Sequence, residues 1–185
     1  MAEVSSVNLT QKEKMLLQDQ KKHEQICVEK YTNYANQAQD PQLKQLFNAY
    51  ASQEQQHLNT INQILQGQSP NMAQQGQKQG MQQQSAGQGQ QQMQQQSSGQ
   101  YQQMQQGNVQ SQGTMQGAMG NQQDAVLCND MLMTEKYVSN TYDTAIFEFT
   151  DTNVRQALNH IQKEEQQHGE GIFNYMQSKG MYNPQ

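Results

Sequence analysis

Glu54-Gln-Gln-His57 and Glu165-Gln-Gln-His168 are the stretches of this sequence best equipped for chemistry. Carboxylates and imidazoles are ligands for first-row divalent metals. On a helix, positions i and i+3 share a face, so each tetrapeptide aims two such ligands the same way. The copies lie 111 residues apart, and sliding the chain over itself by that offset also superposes Leu16 on Leu127, Asp19 on Asp130, Glu24 on Glu135, Tyr31 on Tyr142 and Asp40 on Asp151. The chain therefore reads as a duplicated two-helix unit. Each unit contributes one isolated Glu (Glu24 or Glu135) and one Glu-x-x-His.

The apolar pattern supplies the helices that must carry these residues. From Leu9 to about Ala38 a seam runs through Leu17, Gln20, Glu24, Cys27, Tyr31, Tyr34 and Ala38, in the alternating steps of three and four that mark a helix packed at a shallow angle on others. Asp40 as N-cap and Pro41 at the first helical position open a second helix, expected to end near Gln66, with Leu43, Phe47, Tyr50, Glu54, His57, Ile61 and Ile64 on its seam. The second unit repeats this. A helix from about Asp124 to Phe149 carries Cys128, Met131, Glu135, Val138, Tyr142, Ala145 and Phe149, and one from about Thr152 to Ser178, capped by Asp151, carries Val154, Leu158, Ile161, Glu165, His168, Ile172 and Tyr175. A short turn forces each pair into an antiparallel hairpin, so residues equally far from the turn sit level. Glu24 and Glu54 are equidistant from a turn centred near residue 39, and Glu135 and Glu165 flank theirs in the same way.

Only 32% of the 185 residues are hydrophobic, and the shortage is concentrated in residues 67–123, which are mostly Gln, Gly, Ser and Met. Such a segment cannot bury enough apolar surface to order itself. The organisation expected is a flexible N-terminus over 1–8, a hairpin over 9–66, a low-complexity linker over 67–123 whose glycines oppose helix, a hairpin over 124–179 and a tail over 180–185, both hairpins forming one domain. A flexible linker of that length spans roughly 40 Å, which is also about the length of a 27-residue helix. It is therefore long enough to cross the whole bundle. The fold class is all-α: a ferritin-like antiparallel four-helix bundle of two duplicated hairpins with a long disordered crossover.

Packed about the pseudo-two-fold axis of the duplication, the hairpins would bring Glu24, Glu54, His57, Glu135, Glu165 and His168 to one interior level. One Glu from each of two helices and a Glu-x-x-His from each of the others is the ligand set of carboxylate-bridged di-iron and di-manganese bundles. Four ionised carboxylates in an apolar interior are costly, and two divalent ions, Fe or Mn, would cancel their charge. The alternative is a proton-sharing, hydrogen-bonded polar core without metal. His23 and His160 lie one position off the seam and are expected at the helix boundary, where either could support a ligand. Tyr31 and Tyr142 read first as core residues. The linker methionines, read as copper ligands, have a spacing that looks compositional. Cys27 and Cys128 do not match under the offset and have no Cys-x-x-Cys partner, so they are expected to be buried thiols rather than a disulfide or a zinc site.

The segment Leu9 to Ile64, with Leu-Thr-Gln-Lys-Glu-Lys opening a helix and Ser52-Gln-Glu-Gln-Gln-His57, resembles the coat F domain family of spore coat proteins. Leu132-Met-Thr-Glu-Lys-Tyr137 through Glu164-Glu-Gln-Gln-His168 resembles it more closely. The Glu and Glu-x-x-His pattern is shared with rubrerythrins, bacterioferritins and manganese catalases, although this chain has no rubredoxin-like Cys-x-x-Cys pair for delivering electrons. Met1 to Thr10 has no apolar run resembling a signal peptide, so the chain is expected to be made in the cytoplasm and not secreted; the resemblance implies a structural protein of the mother cell, deposited in the spore coat beside other coat proteins. The Gln-rich linker is a candidate for self-association or for transglutaminase cross-linking. The alternative function is a di-iron or di-manganese oxidoreductase that removes peroxide or oxidises metal. A net charge of −5 with scattered Lys and Arg argues against nucleic acid, and no stretch has the roughly 18 apolar residues of a membrane span.

Overall fold

The computed structural model describes residues 6–70 and 112–182, with backbone alone over 112–120. The described residues form four helices: α1 (Gln11–Gln37), α2 (Pro41–Leu65), α3 (Gln112–Glu148) and α4 (Thr152–Ser178). Residues 71–111, most of the expected linker, lie outside the described residues. α1 and α2 form one antiparallel hairpin and α3 and α4 the other. α1 also runs antiparallel to α3, since Lys12 meets Glu148 at 2.5 Å and Lys30 meets Asp130 at 2.6 Å. α2 and α4 pair in the same sense. It follows that α2 ends at one end of the bundle while the α3 segment that packs begins at the other.

Each helix starts where its side chains can satisfy free N–H groups. Thr10 and Glu13 form a reciprocal capping box on α1. Asp40 accepts from the Gln42 amide at 2.8 Å, and Asp151 accepts from the Asn153 and Val154 amides at 2.8 and 3.0 Å. Two expected boundaries move. α3 begins at Gln112, twelve residues before Asp124, and runs through Gly113, Gly117 and Gly120. Each glycine costs about 1 kcal/mol in a helix interior. Growth backward from a packed helix, however, needs no new nucleus, which is the expensive step. Residues 6–8, expected to fray, are instead tied to the end of α2: the Val7 amide donates to the Gly67 carbonyl at 2.8 Å. Gly67 turns the chain there at φ +78°, a conformation that suits glycine.

The apolar seams are buried much as the pattern predicts. Tyr31, Ala35, Leu43, Phe47, Met131, Ile172 and Met176 pack together toward the α1–α2 turn. Leu17, Ile61, Ile64, Phe149, Val154 and Leu158 are buried toward the other turn. Cys27 and Cys128 are buried free thiols, and burial holds both far above the ordinary thiol range.

A crosswise pair of acids joins the halves. Glu13 accepts from the Thr150 amide at 2.9 Å and the Thr150 hydroxyl at 3.2 Å, bracing the α3–α4 turn. Asp124, which stands 111 residues on, accepts from the Gln39 and Asp40 amides at 2.8 and 2.9 Å, bracing the α1–α2 turn. The two-fold relation seen in the sequence is thus physical.

Candidate metal centre

Between the two apolar layers the helices bring six polar side chains together. α1 supplies Glu24, α2 supplies Glu54 and His57, α3 supplies Glu135, and α4 supplies Glu165 and His168. None is more than 3% exposed, so bulk water cannot solvate them. They form two overlapping groups, Glu24, Glu54, His57 and Glu165 in one and Glu54, Glu135, Glu165 and His168 in the other. In each group, one ligand-capable atom per residue lies within 4.8 Å of all the rest. Glu54 and Glu165 belong to both groups, where a bridging carboxylate would stand. Glu24 and Glu135 each belong to one.

The imidazoles present Nδ1 to the centre. His57 Nδ1 lies 3.5 Å from Glu24, 3.3 Å from Glu54 and 3.0 Å from Glu165. His168 Nδ1 lies 2.8 Å from Glu54 and 3.9 Å from both Glu135 and Glu165. The opposite nitrogens are held from outside: His57 Nε2 donates to Glu164 at 2.9 Å and His168 Nε2 to the Gln53 side-chain oxygen at 3.0 Å. Such bonds fix both the tautomer and the ring orientation. The Tyr31 hydroxyl donates to Glu135, and the Tyr142 hydroxyl donates to Glu24. Each of these tyrosines comes from the half opposite to its carboxylate.

These contacts leave the centre unsatisfied. Glu24 Oε2, Glu54 Oε1, Glu135 Oε2, both Glu165 oxygens and His168 Nδ1 are buried without a hydrogen bond. The short His168–Glu54 approach is close in distance but too poorly aligned to be one. Five orphaned carboxylate oxygens do not suit a closed hydrogen-bonded core, because each carries a desolvation penalty. The same atoms suit cations, and carboxylate oxygen with imidazole nitrogen is a donor set that Fe and Mn accept.

The electrostatics of the bare cluster agree. Burial pushes Glu24 up to about 7 and Glu165 up to about 8, with His57 pulling the other way. Burial likewise raises Glu54, and it raises Glu135 with the Glu165 charge assisting. Burial disfavours the charged form of His57, but the bond to Glu164 and the close carboxylates of Glu165, Glu24 and Glu54 outweigh it and hold this imidazole well above its ordinary range. His168 lacks that surplus, and burial drops it to about 4. The metal-free centre therefore holds protons where its geometry calls for positive charge.

The six residues singled out in the sequence converge. Others were undervalued there. Tyr31 and Tyr142 are core residues, as expected, but their hydroxyls also hold the lone carboxylates. His160, expected at the boundary, reaches Glu164 at 3.3 Å and so stands behind His57. His23 faces Tyr137 at 5.4 Å and takes no part in the cluster. Gln53 and Glu164 each directly precede a motif Glu, but nothing in the sequence marks either as a support for the opposite imidazole. Tyr50 lies against His168 with ring centroids 4.3 Å apart. It fits only because Gly171 has no side chain: a Cβ there would overlap the Tyr50 hydroxyl. Between α3 and α4 a cleft of about 830 Å³ has Glu135 and Glu165 among its lining residues.

The comparisons with known proteins fall on the two halves in turn. The family model for rubrerythrin, a ferritin-like family, matches residues 16–107, and the Coat F domain model matches residues 123–185. No curated protein and no solved structure matches the chain. Among the described residues no helix is long and apolar enough to cross a membrane. With the bundle, its duplicated ligand pattern and both family matches in view, the chain is a ferritin-like four-helix bundle, similar to rubrerythrin over its first half and to the Coat F domain over its last third.

Proposed function

We propose that this protein is a structural component of the spore coat whose bundle holds two divalent metal ions, Fe or Mn, between Glu24, Glu54, His57, Glu135, Glu165 and His168. The observation that carries the metal reading is the pair of buried ligand groups sharing Glu54 and Glu165, with five carboxylate oxygens left without a hydrogen bond. Glu24, Glu54, His57 and Glu165 would hold one ion and Glu54, Glu135, Glu165 and His168 the other. The Coat F domain supports the coat assignment. In that setting other coat proteins are the partners, and the Gln-rich stretch outside the described residues is the adhesive or cross-linked part. Elemental analysis after expression with Fe and Mn tests the reading: about two ions per chain, lost together on replacing Glu54 and Glu165, is the expected result, and a metal-free protein refutes it.

A second reading, a di-metal oxidoreductase, is favoured by the cleft that has Glu135 and Glu165 among its lining residues. Bound Fe or Mn would supply the redox and Lewis-acid chemistry for oxygen or peroxide. This chain's own residues orient the imidazoles through Gln53 and Glu164, hold two carboxylates through tyrosine hydroxyls, and exclude bulk water. Turnover of hydrogen peroxide by the metal-loaded protein supports this reading, and an inert loaded bundle leaves the scaffold function.

A further inference from the structure

The two halves of the centre are built on one plan but differ behind the imidazoles. His57 Nε2 donates to a carboxylate, Glu164, at 2.9 Å. His168 Nε2 donates to a neutral amide, Gln53, at 3.0 Å. Glu164 is in turn braced by His160 at 3.3 Å, and the positions in the first copy that match His160 and Glu164 are Ala49 and Gln53. The duplication has thus diverged at both supporting positions, while Glu24/Glu135, Glu54/Glu165 and His57/His168 are the same in each copy.

That difference has a chemical consequence. An imidazole whose far N–H is bonded to a carboxylate is a stronger donor at its other nitrogen than one bonded to an amide. The Glu164 charge also lies close enough to favour a cation on the His57 side. Access is unequal in the opposite sense, because the cleft between α3 and α4, walled by Tyr137, Asn140, Gln162 and Gly169, is lined by Glu135 of the His168 group and by the shared Glu165, and by neither Glu24 nor His57. Gly169 stands on the cleft wall beside Glu135, whose Cβ lies 4.0 Å from where a side chain on Gly169 would begin.

Resting on the di-metal reading, we infer that the two metal positions are unequal: the Glu24–His57 position fills first and retains its ion, and the Glu135–His168 position is the exchangeable one, loaded through the α3–α4 cleft. Glu164 and His160 are positioning residues for the first ion. Gln53 leaves the second more weakly held.

The test is a titration of the metal-free full-length protein with Mn²⁺, followed by calorimetry and by anomalous diffraction from crystals given one equivalent. The expected result is density beside His57 and two resolved binding steps. Glu164→Gln weakens the first step about tenfold to a hundredfold, the usual effect of removing such a partner, and leaves the second unchanged. Gln53→Glu strengthens the second step and redistributes a single equivalent toward His168, an effect that a merely structural role would not produce and that covers the case of a misfolded Glu164 variant. Density shared equally between the positions or found first beside His168 overturns the inference, as does a Glu164→Gln effect on both steps alike. A wild-type protein that binds no Mn²⁺ or Fe²⁺ at all is a different failure, that of the di-metal reading itself.

Discussion

Replacing Glu13 tests whether the two hairpins are held by exchanged acids or only by their apolar seams. Its carboxylate accepts from the Thr10 amide at 2.7 Å, the Thr10 hydroxyl at 2.8 Å, the Thr150 amide at 2.9 Å and the Thr150 hydroxyl at 3.2 Å, with the residue 1% exposed. In Glu13→Ala the capping box fails, at about 1 kcal/mol, and the Thr150 amide loses its charged acceptor, at about 1–3 kcal/mol. The loss expected in urea denaturation is therefore about 2–4 kcal/mol with an unchanged slope. The pH dependence is a second signature. Burial alone would raise the Glu13 carboxyl, but it lies at the end of the bundle, and the bonds from Thr150 and Thr10 outweigh burial and hold it below the ordinary value of 4.5. A lowered folded value stabilises above the unfolded one and is lost as pH falls through it. The gap between wild type and Glu13→Gln should accordingly narrow as pH is taken from neutrality to below 4.5. A Glu13→Ala loss under about 1 kcal/mol, or a gap that does not change with acid, refutes the latch.

Three further outcomes are expected. In chelator, stability should fall as pH rises from 6.5 to 8: the folded state keeps protons on Glu24, Glu165 and His57 that the unfolded chain releases, and burial is the main cause for the two carboxyls. Melts in chelator and in Mn²⁺ check this, because metal should abolish the decline. Tyr31→Phe and Tyr142→Phe should each cost the metal-free protein about 1–3 kcal/mol, by similar amounts, since each strips a buried carboxylate of its donor. In paired denaturation curves, Gly171→Ala should cost about 1–3 kcal/mol by driving Tyr50 off His168, whereas Gly169→Ala, whose Cβ meets only ordinary contacts, should gain up to about 1 kcal/mol.

The helices and the six converging residues were legible because periodicity and duplication agreed: a Glu or His at an apolar seam position is conspicuous, and more so when it recurs at a fixed offset. The supporting residues were not legible for the opposite reason. Glu13 and Asp124 match under the offset only as acids, and a first-turn Glu reads as an ordinary cap until the partner half is docked. Gln53 and Glu164 do not match at all, and in a chain this rich in glutamine a single Gln carries no signal. The start of α3 was missed because glycine counts measure propensity, whereas a helix already anchored by packing can extend through residues that would never start one.

The exchange of Glu13 and Asp124 makes neither hairpin a finished object. Each turn has backbone donors that only the sister copy is built to receive, so a lone copy would present bare amides at its tip. Such a unit is fitted to tandem existence, each copy finishing the other.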